Sequence, residues 1–514
     1  MNALSLMVLL PLVAGVVAIA GRLERYARPL ALGGIAAAWW NAATVWQQFD
    51  ASLGLVQLRD FRPLFGSAAF AWNLGIDGWT ILPLLAVLAV ATIALLGQEV
   101  GGRAPAWLAV MTGAALGAVA SLNLGLTLFF ILVVVIAFAF ATLDQVEVVQ
   151  GIRTRVGFDL LAIAVALLAG WMVAGSGAAA PSFNLHSLLR EARGVAQPIL
   201  IFQLMLLAAI ILAGGWPAGE GRRRLATQLD SALLALLITL PGLIAFTLVA
   251  RFLLPLFPAL TREFALTVVA VCAVLAGLSG VRAWARDELR EQLVHLAEAA
   301  TLTAIGALFV LQTNAAVGAV IWVAATLVAL AGMTPLMAGI VRGLGGRVDW
   351  WAVQHFARGA GRTRWPLLIL FAVVVGLPVT ISGAAWAGWA SATLQQLVTG
   401  VQTGVYAEAA MRLVWLFAPV ALIVIAASQP LFWLLQRRPE PTDPPLLLRE
   451  VTASAIAVLL LGWATVNAGV FPALVERSVE YTMGRQLNPD APVRAPAHEQ
   501  AGSDQPESGS PDSP

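Results

Sequence analysis

One short stretch near the middle of the chain holds residues able to move protons or to ligate a cation: Arg290, Glu291, His295 and Glu298. Glu291, His295 and Glu298 stand at i, i+4 and i+7, which on a helix puts all three on one face. A histidine between two carboxylates can pass protons near neutral pH. A face of His and Glu can also hold a metal. The plainer alternative, which the sequence favours, is a water-facing helix end whose charges stay solvated or pair with Arg286.

Other charged residues read as structural. Arg251 closes an apolar segment, where it can engage the C-terminal helix dipole or snorkel to the interface. Asp230 opens the same segment as a first-turn acid, and Asp77, before Gly78, is expected to be an N-cap. Arg222-Arg-Arg224 reads as a topogenic run that could also touch anionic lipid. The single cysteine, Cys272, lies inside an apolar segment, so it forms no disulfide framework and no thiolate metal site. His186, His355 and His498 fall in connections or the tail, which gives no support to haem or quinone ligation. With no Gly-rich phosphate loop and no nucleophile constellation, the sequence implies no cofactor, no metal and no catalytic residue of its own.

The elements that must position these residues are membrane helices. Hydrophobic residues make up 60% of 514 positions and charged residues 11%, and mean hydropathy is +0.85. Apolar runs of about 17–25 residues, each long enough to cross the hydrocarbon layer, recur along the whole chain. Fourteen crossings are expected, at about 3–20, 28–48, 78–98, 105–122, 124–143, 157–175, 199–214, 230–254, 263–284, 296–312, 315–341, 366–388, 411–436 and 449–471. All 30 basic residues are arginine. Connections after odd-numbered crossings hold 18 of them, including Arg103, Arg153, Arg155 and the 222–224 run. Even-numbered connections hold only Arg59, Arg62, Arg190, Arg193 and Arg262, which places both termini on the outer face of a cytoplasmic membrane. The first segment reads as a retained helix rather than a signal peptide, and the polar stretch after Leu487 as disordered. A nucleic-acid partner is not expected.

Four stretches resemble the antiporter-like subunits of respiratory complex I and of the related multisubunit cation/proton antiporters. They are Phe70-Ala-Trp-Asn-Leu-Gly-Ile-Asp-Gly78, Arg251-Phe-Leu-Leu-Pro-Leu-Phe-Pro258, Trp284-Ala-Arg-Asp-Glu-Leu-Arg290, and Arg358-Gly-Ala-Gly-Arg-Thr-Arg-Trp-Pro366 followed by Gly376-Leu-Pro378. The resemblance implies an all-α polytopic fold built on two inverted five-helix repeats, each with a helix broken near mid-membrane. Gly214-Gly215-Trp216-Pro217 and Gly376-Leu377-Pro378 stand where those breaks should be, and Asp77, Arg251 and Pro378 occupy family-like structural positions. The implied division is 1–104 for the first helices, 105–438 for the repeat core, 439–487 for a last transmembrane helix and 488–514 for the tail.

The family's proton relay does not carry over. Counted from the matched stretches, its fifth-helix glutamate falls at Leu132, its seventh-helix lysine at Leu207 and its eighth-helix lysine at Leu243. The twelfth-helix position lies in Leu367 to Trp389, which contains no ionisable side chain. Apolar replacement removes the desolvation cost of a buried charge, as expected once proton transfer is no longer selected. The resemblance therefore implies a membrane-arm subunit of an NADH-quinone oxidoreductase-like assembly, degenerate in its relay and structural or coupling in role. Its partners would be other membrane subunits and the lipid bilayer. Two alternatives stay open: a transporter using a rewired path through Glu291, His295 and Glu298, and the membrane subunit of an inorganic-carbon uptake complex with a soluble zinc partner.

Overall fold

The computed structural model describes residues 2–64, 67–98, 101–143, 149–176, 181–343, 361–403, 406–435 and 447–487. Arg347, Trp350, Trp351, His355, Arg358, Arg437, Arg438, His498 and the tail lie outside them. Among the described residues nine helices are long and apolar enough to cross a membrane, and three shorter ones are apolar.

Helices α1 (Ala3–Ala20) and α2 (Ala27–Gln48) lead into a hairpin of β1 (Gln57–Leu64) and β2 (Ser67–Ile76). Helices α3 (Gly78–Gly97), α4 (Ala104–Ala120), α5 (Leu124–Leu143) and α6 (Val149–Ala174) follow. A short α7 (Leu185–Glu191) precedes α8 (Pro198–Ala213) and α9 (Gly219–Ala226), the two arms of the seventh crossing. The eighth crossing joins α10 (Ser231–Leu248), a π-turn at Val249–Leu253 and α11 (Leu254–Leu256). Then come α12 (Pro258–Glu263), α13 (Ala265–Trp284), α14 (Leu289–Leu308) and α15 (Thr313–Gly343). The chain closes with α16 (Gly361–Val375), α17 (Ile381–Thr403), α18 (Tyr406–Leu435), α19 (Leu448–Val466) and α20 (Val470–Leu487).

Helices α3, α10, α14 and α15 form the centre; every residue of α10 is buried, packed on α3, α8, α14 and α15. The outer helices show stripes of large apolar side chains, among them Val13, Val16 and Val17 of α1, Leu160, Leu161, Leu167 and Leu168 of α6, and Val271, Val274 and Leu278 of α13. Such stripes are tolerated only where the surrounding solvent is hydrocarbon. The chain is a polytopic membrane protein.

Contacts sort the connections by parity. At one end Arg103 pairs with Glu24 at 2.7 Å, Ser231 Oγ donates to the Gly97 carbonyl, and Arg342 pairs with buried Glu450. At the other, Asn73 Nδ2 donates to Asn184 Oδ1 at 3.2 Å and the Gly78 amide donates to Ser478 Oγ at 2.9 Å. These contacts join odd connections to odd and even to even.

Several expected boundaries are corrected. The 49–77 connection contains the hairpin, in which Asp60 pairs with Leu74 and Arg62 with Trp72. Ser5 Oγ donates to Asp60 Oδ2 at 2.7 Å and Trp72 Nε1 donates to Ser5 Oγ at 2.9 Å, tying the hairpin to α1. Burial pushes the Asp60 carboxyl up, but the bonds from Ser5, the Asn2 amide and Arg62 outweigh it and leave its pKa below the ordinary value. The twelfth crossing breaks after Val375 and its second arm runs to Thr403, across what the sequence assigned to a loop. Past Val466 a further helix, α20, folds back onto α3 and α15. The tenth crossing starts at Leu289, not 296, because Arg290 and Glu291 have ionic or carbonyl partners that make their places in a helix tolerable.

Arg251 does not snorkel. Its side chain is 1% exposed and donates to the Val119, Ser121 and Gly75 carbonyls at 2.9, 3.3 and 2.6 Å, with Asp77 Oδ2 at 3.4 Å. Asp77 itself caps α3, its amide donating to Thr80 Oγ1 and its carboxylate accepting from the same hydroxyl. Arg251→Met strands three carbonyls and a carboxylate, so a loss of about 3–5 kcal/mol is expected, read as a lower unfolding midpoint in detergent. Retention of the wild-type midpoint would show that these contacts do not hold the hairpin.

Candidate functional site

The site forms where the seventh crossing breaks. Helix α8 ends at Gly214, whose φ of +92° is a left-handed conformation that a side chain would strain. The last carbonyls of a helix lack partners within it, and in hydrocarbon that lack is costly. Arg222, reaching back from α9, donates to the carbonyls of Leu212 and Ala213, the latter at 3.1 Å. It is 2% exposed, so the expectation that it belongs to a water-facing topogenic run is corrected. Arg223 and Arg224 keep more exposure and pair with Glu220.

Helix α6 supplies Arg155 and Asp159, one turn apart and joined at 2.8 Å with side chains 7% and 3% exposed. The sequence placed Arg155 in a connection and did not single out Asp159. Their i, i+4 spacing at the head of an apolar run was the available signal.

Helix α14 supplies the predicted group, and the structure divides it. Arg290 donates to the carbonyls of Thr227 and Leu229 at 3.1 and 3.2 Å, holding the end of α9. Glu291 sits near the surface between Arg223 at 3.1 Å and Arg286 at 3.5 Å. His295 Nδ1 lies 3.1 Å from Glu298 Oε2, and both side chains are at most 3% exposed. For these two residues the solvated reading is corrected: the helix starts about two turns earlier and carries them into the protein. Gly214 separates Arg222 from Glu298; a methyl there would lie 2.7 Å from Arg222 Nη1 and 2.9 Å from Glu298 Cγ. A methyl on Gly219 would fall 2.3 Å from Glu298 Oε1, so α9 can approach α14 only because that position is glycine.

Arg155, Arg222, Asp159 and Glu298 thus balance two positive and two negative charges, with Asp159 and Glu298 both attracting Arg222. Glu298 Oε1, His295 Nε2 and Asp159 Oδ1 have no protein hydrogen-bond partner. A carboxylate bonded to an imidazole, with one free acceptor and one free ring nitrogen, can take up or release a proton. Among the described residues no group of three or more His, Cys, Asp or Glu side chains is arranged to hold a metal.

The cluster stops at this end of the bundle. Leu243 is fully buried in α10, Leu132 is half-buried in α5, and Leu207 is 46% exposed on the outer face of α8. The inward residues beside Leu207, Met205 and Ala208, are apolar as well. Four buried hydroxyls of α10 and α14 bond within their own helices, Thr239 to Ala235, Thr247 to Leu243, Thr301 to Ala297 and Thr303 to Ala299, while Thr326 Oγ1 of α15 has no protein partner. Pro378, at the break between α16 and α17, is exposed and lines a cavity of about 670 Å3.

No protein-family model and no curated protein matches this sequence. The fold is nevertheless found among solved structures. A chain of respiratory complex I from Thermus thermophilus, solved with bound NADH, superposes with a TM-score of 0.78 at 22% identity, over 94% of this chain and 99% of that one. A chain of the Mrp complex from Dietzia sp. gives 0.76 at 14% identity, over 95% and 98%. A chain of the membrane-bound sulfane sulfur reductase, an archaeal respiratory membrane complex, gives 0.70 at 15%, over 90% and 75%. This chain has the fold of those multisubunit-complex membrane chains.

Asp159→Asn is expected to destabilise the protein by about 3–5 kcal/mol, because it leaves Arg155 buried without its partner. The double change Arg155→Met with Asp159→Leu should recover most of that loss. Unfolding midpoints of Arg155→Met, Asp159→Leu and the double measure the coupling, and purely additive losses would mean that the pair does not act as a unit. Gly219→Val should cost a further ~1–3 kcal/mol by overpacking against Glu298, measured the same way.

Proposed function

We propose that this chain is a membrane-arm subunit of a multisubunit respiratory or antiporter-like assembly, with a structural or coupling role and no proton path through its centre. The observation that carries this reading is the eighth crossing: from Ser231 to Ala250, some 30 Å of helix at the heart of the bundle, there is no ionisable side chain. The charge cluster lies at one end of that helix and Arg251 with Asp77 at the other, and the helix between carries only apolar side chains and hydroxyls. The shared fold supports association with other membrane subunits, and the arginine asymmetry supports a bacterial cytoplasmic membrane with both termini outside. Affinity purification of the whole chain from native membranes, with mass spectrometry of the high-mass fraction, should recover quinone-reductase-type membrane subunits. Recovery of the chain alone, or with a soluble zinc protein, would overturn the assignment in favour of transport or carbon uptake.

A second reading rests on the burial of His295 with Glu298, which together with Glu291 link the surface to the break in the seventh crossing. On this reading the cluster exchanges protons with one face of the membrane and the broken helix responds by moving. The triple variant Glu291→Ala, His295→Ala, Glu298→Ala, reconstituted in liposomes, should then lose any pH-driven flux while still co-purifying with its partners. Wild-type flux in that variant would remove the reading.

A further inference from the structure

The positive-inside rule depletes arginine from one side of a membrane protein, and here the even-numbered connections hold only five. Three of the five, Arg59, Arg190 and Arg193, line one cavity of about 650 Å3, within the ~300–1,000 Å3 of ordinary ligand sites. They come from separate segments: Arg59 from β1, Arg190 from α7 and Arg193 from the turn after it. His186 joins them, and Arg251 and Asp77 complete the charged lining. Four guanidiniums therefore face a cavity with one carboxylate, and that carboxylate already stands 3.4 Å from Arg251. Arg251, 1% exposed, keeps its Nε without a hydrogen-bond partner. Topology cannot account for the convergence, since the rule would remove arginines from this side, and like charges brought together are repelled unless something neutralises them.

The rest of the lining fixes the level and the chemistry. Trp79 opens α3, the kind of helix end where aromatic rings favour the membrane interface, and its Nε1 donates to Thr482 Oγ1 at 3.1 Å. Leu185, Leu189, Leu254 and Pro258 give part of the wall an apolar character. A cavity that is cationic on one wall, apolar on another and set at the interface matches an anion with a greasy attachment better than a free ion. Guanidinium forks bind phosphate oxygens in pairs, which explains arginine here.

We propose that this cavity binds a phosphate-bearing anion, supplied by an anionic phospholipid headgroup or by free phosphate. The ligand would join the hairpin, α7, the end of the eighth crossing and α20, four segments distant in the sequence. Arg59, Arg190 and Arg193 are exposed, so the triple change to glutamine leaves the core intact.

The test uses the purified full chain in detergent, with native mass spectrometry during titration with phosphatidylglycerol or phosphatidylcholine and unfolding midpoints with and without inorganic phosphate. Wild type should bind phosphatidylglycerol over phosphatidylcholine, and the triple variant should bind it roughly tenfold or more weakly, since each contact to a charged group is worth a substantial fraction of a decade or more. If inorganic phosphate alone raises the midpoint of wild type and not of the variant, the site stands with free phosphate as its source. Arg62→Gln is the control: Arg62 lies on the same strand, pairs with Asp60 and does not line the cavity. Equal binding by wild type and triple variant, or an equal loss in Arg62→Gln, overturns the proposal.

Discussion

A helix that stops inside or at the edge of a membrane leaves its last carbonyls without donors, and hydrocarbon offers no water to supply them. Arg222 supplies them for α8, donating to Leu212 and Ala213. The same device recurs. Arg251 serves the carbonyls at the hairpin and after α4, Arg290 serves those after α9, and Arg28 donates to Leu96 at the end of α3. A guanidinium offers five donors in a fixed plane and stays protonated, so one side chain can satisfy two or three carbonyls at once. An ammonium is a compact charge that sheds its proton readily when buried, which suits a relay and not a clamp. The absence of lysine and the recurrence of clamping arginines are two sides of one choice: most buried cations here hold backbone, and Arg155, which pairs with Asp159, is the exception.

Once Arg222 is drawn inward, its charge needs an answer, and the rest of the cluster provides it. Asp159 and Glu298 supply two negative charges, Arg155 binds Asp159, and His295 binds Glu298. Each of these would be costly alone in a low-dielectric interior; together they are neutral and partly hydrogen-bonded. The glycines of the break allow the helices to come this close. The network is not closed: Glu298 Oε1 and His295 Nε2 have no protein hydrogen-bond partner, although a purely structural network would be expected to use them.

Much of this was legible in the sequence. Apolar period gave the membrane-crossing helices, because it follows from a one-dimensional rule about hydrocarbon thickness. Asp77 as a cap was also readable from local chemistry, and the two breaks at Gly214 and Gly376 from the family resemblance. The hairpin was not: Gln57-Leu-Arg-Asp-Phe-Arg-Pro-Leu64 has proline and charge on an edge strand, and its stability comes from Ser5, Asn2 and Leu122, which are remote in sequence. Nor was the burial of Arg222, His295 and Glu298. Each belongs to a polar stretch that looks solvated on its own, and only the meeting of α6, α9 and α14 makes them partners.

The two broken crossings, five apart in order, are answered differently, and the difference bears on what the protein can do. At the first, charge closes the break. At the second, Gly376 takes φ +73°, Thr380 Oγ1 donates to the Leu377 carbonyl at 2.7 Å, and Thr465 Oγ1 accepts from the Ile381 amide at 3.1 Å. Hydroxyls do there what arginine does at the first break, and no ionisable group stands between Leu367 and Trp389. A field applied at one end of the bundle, by a partner or by protonation, therefore acts on the first break through Arg222 and Glu298 but finds no charge of this chain to act on at the second. What joins the two halves at the centre is packing, between α10 and α15. Packed helices whose central turns carry no ionisable side chain transmit displacement without carrying protons. That property fits a subunit that links moving neighbours rather than one that conducts by itself.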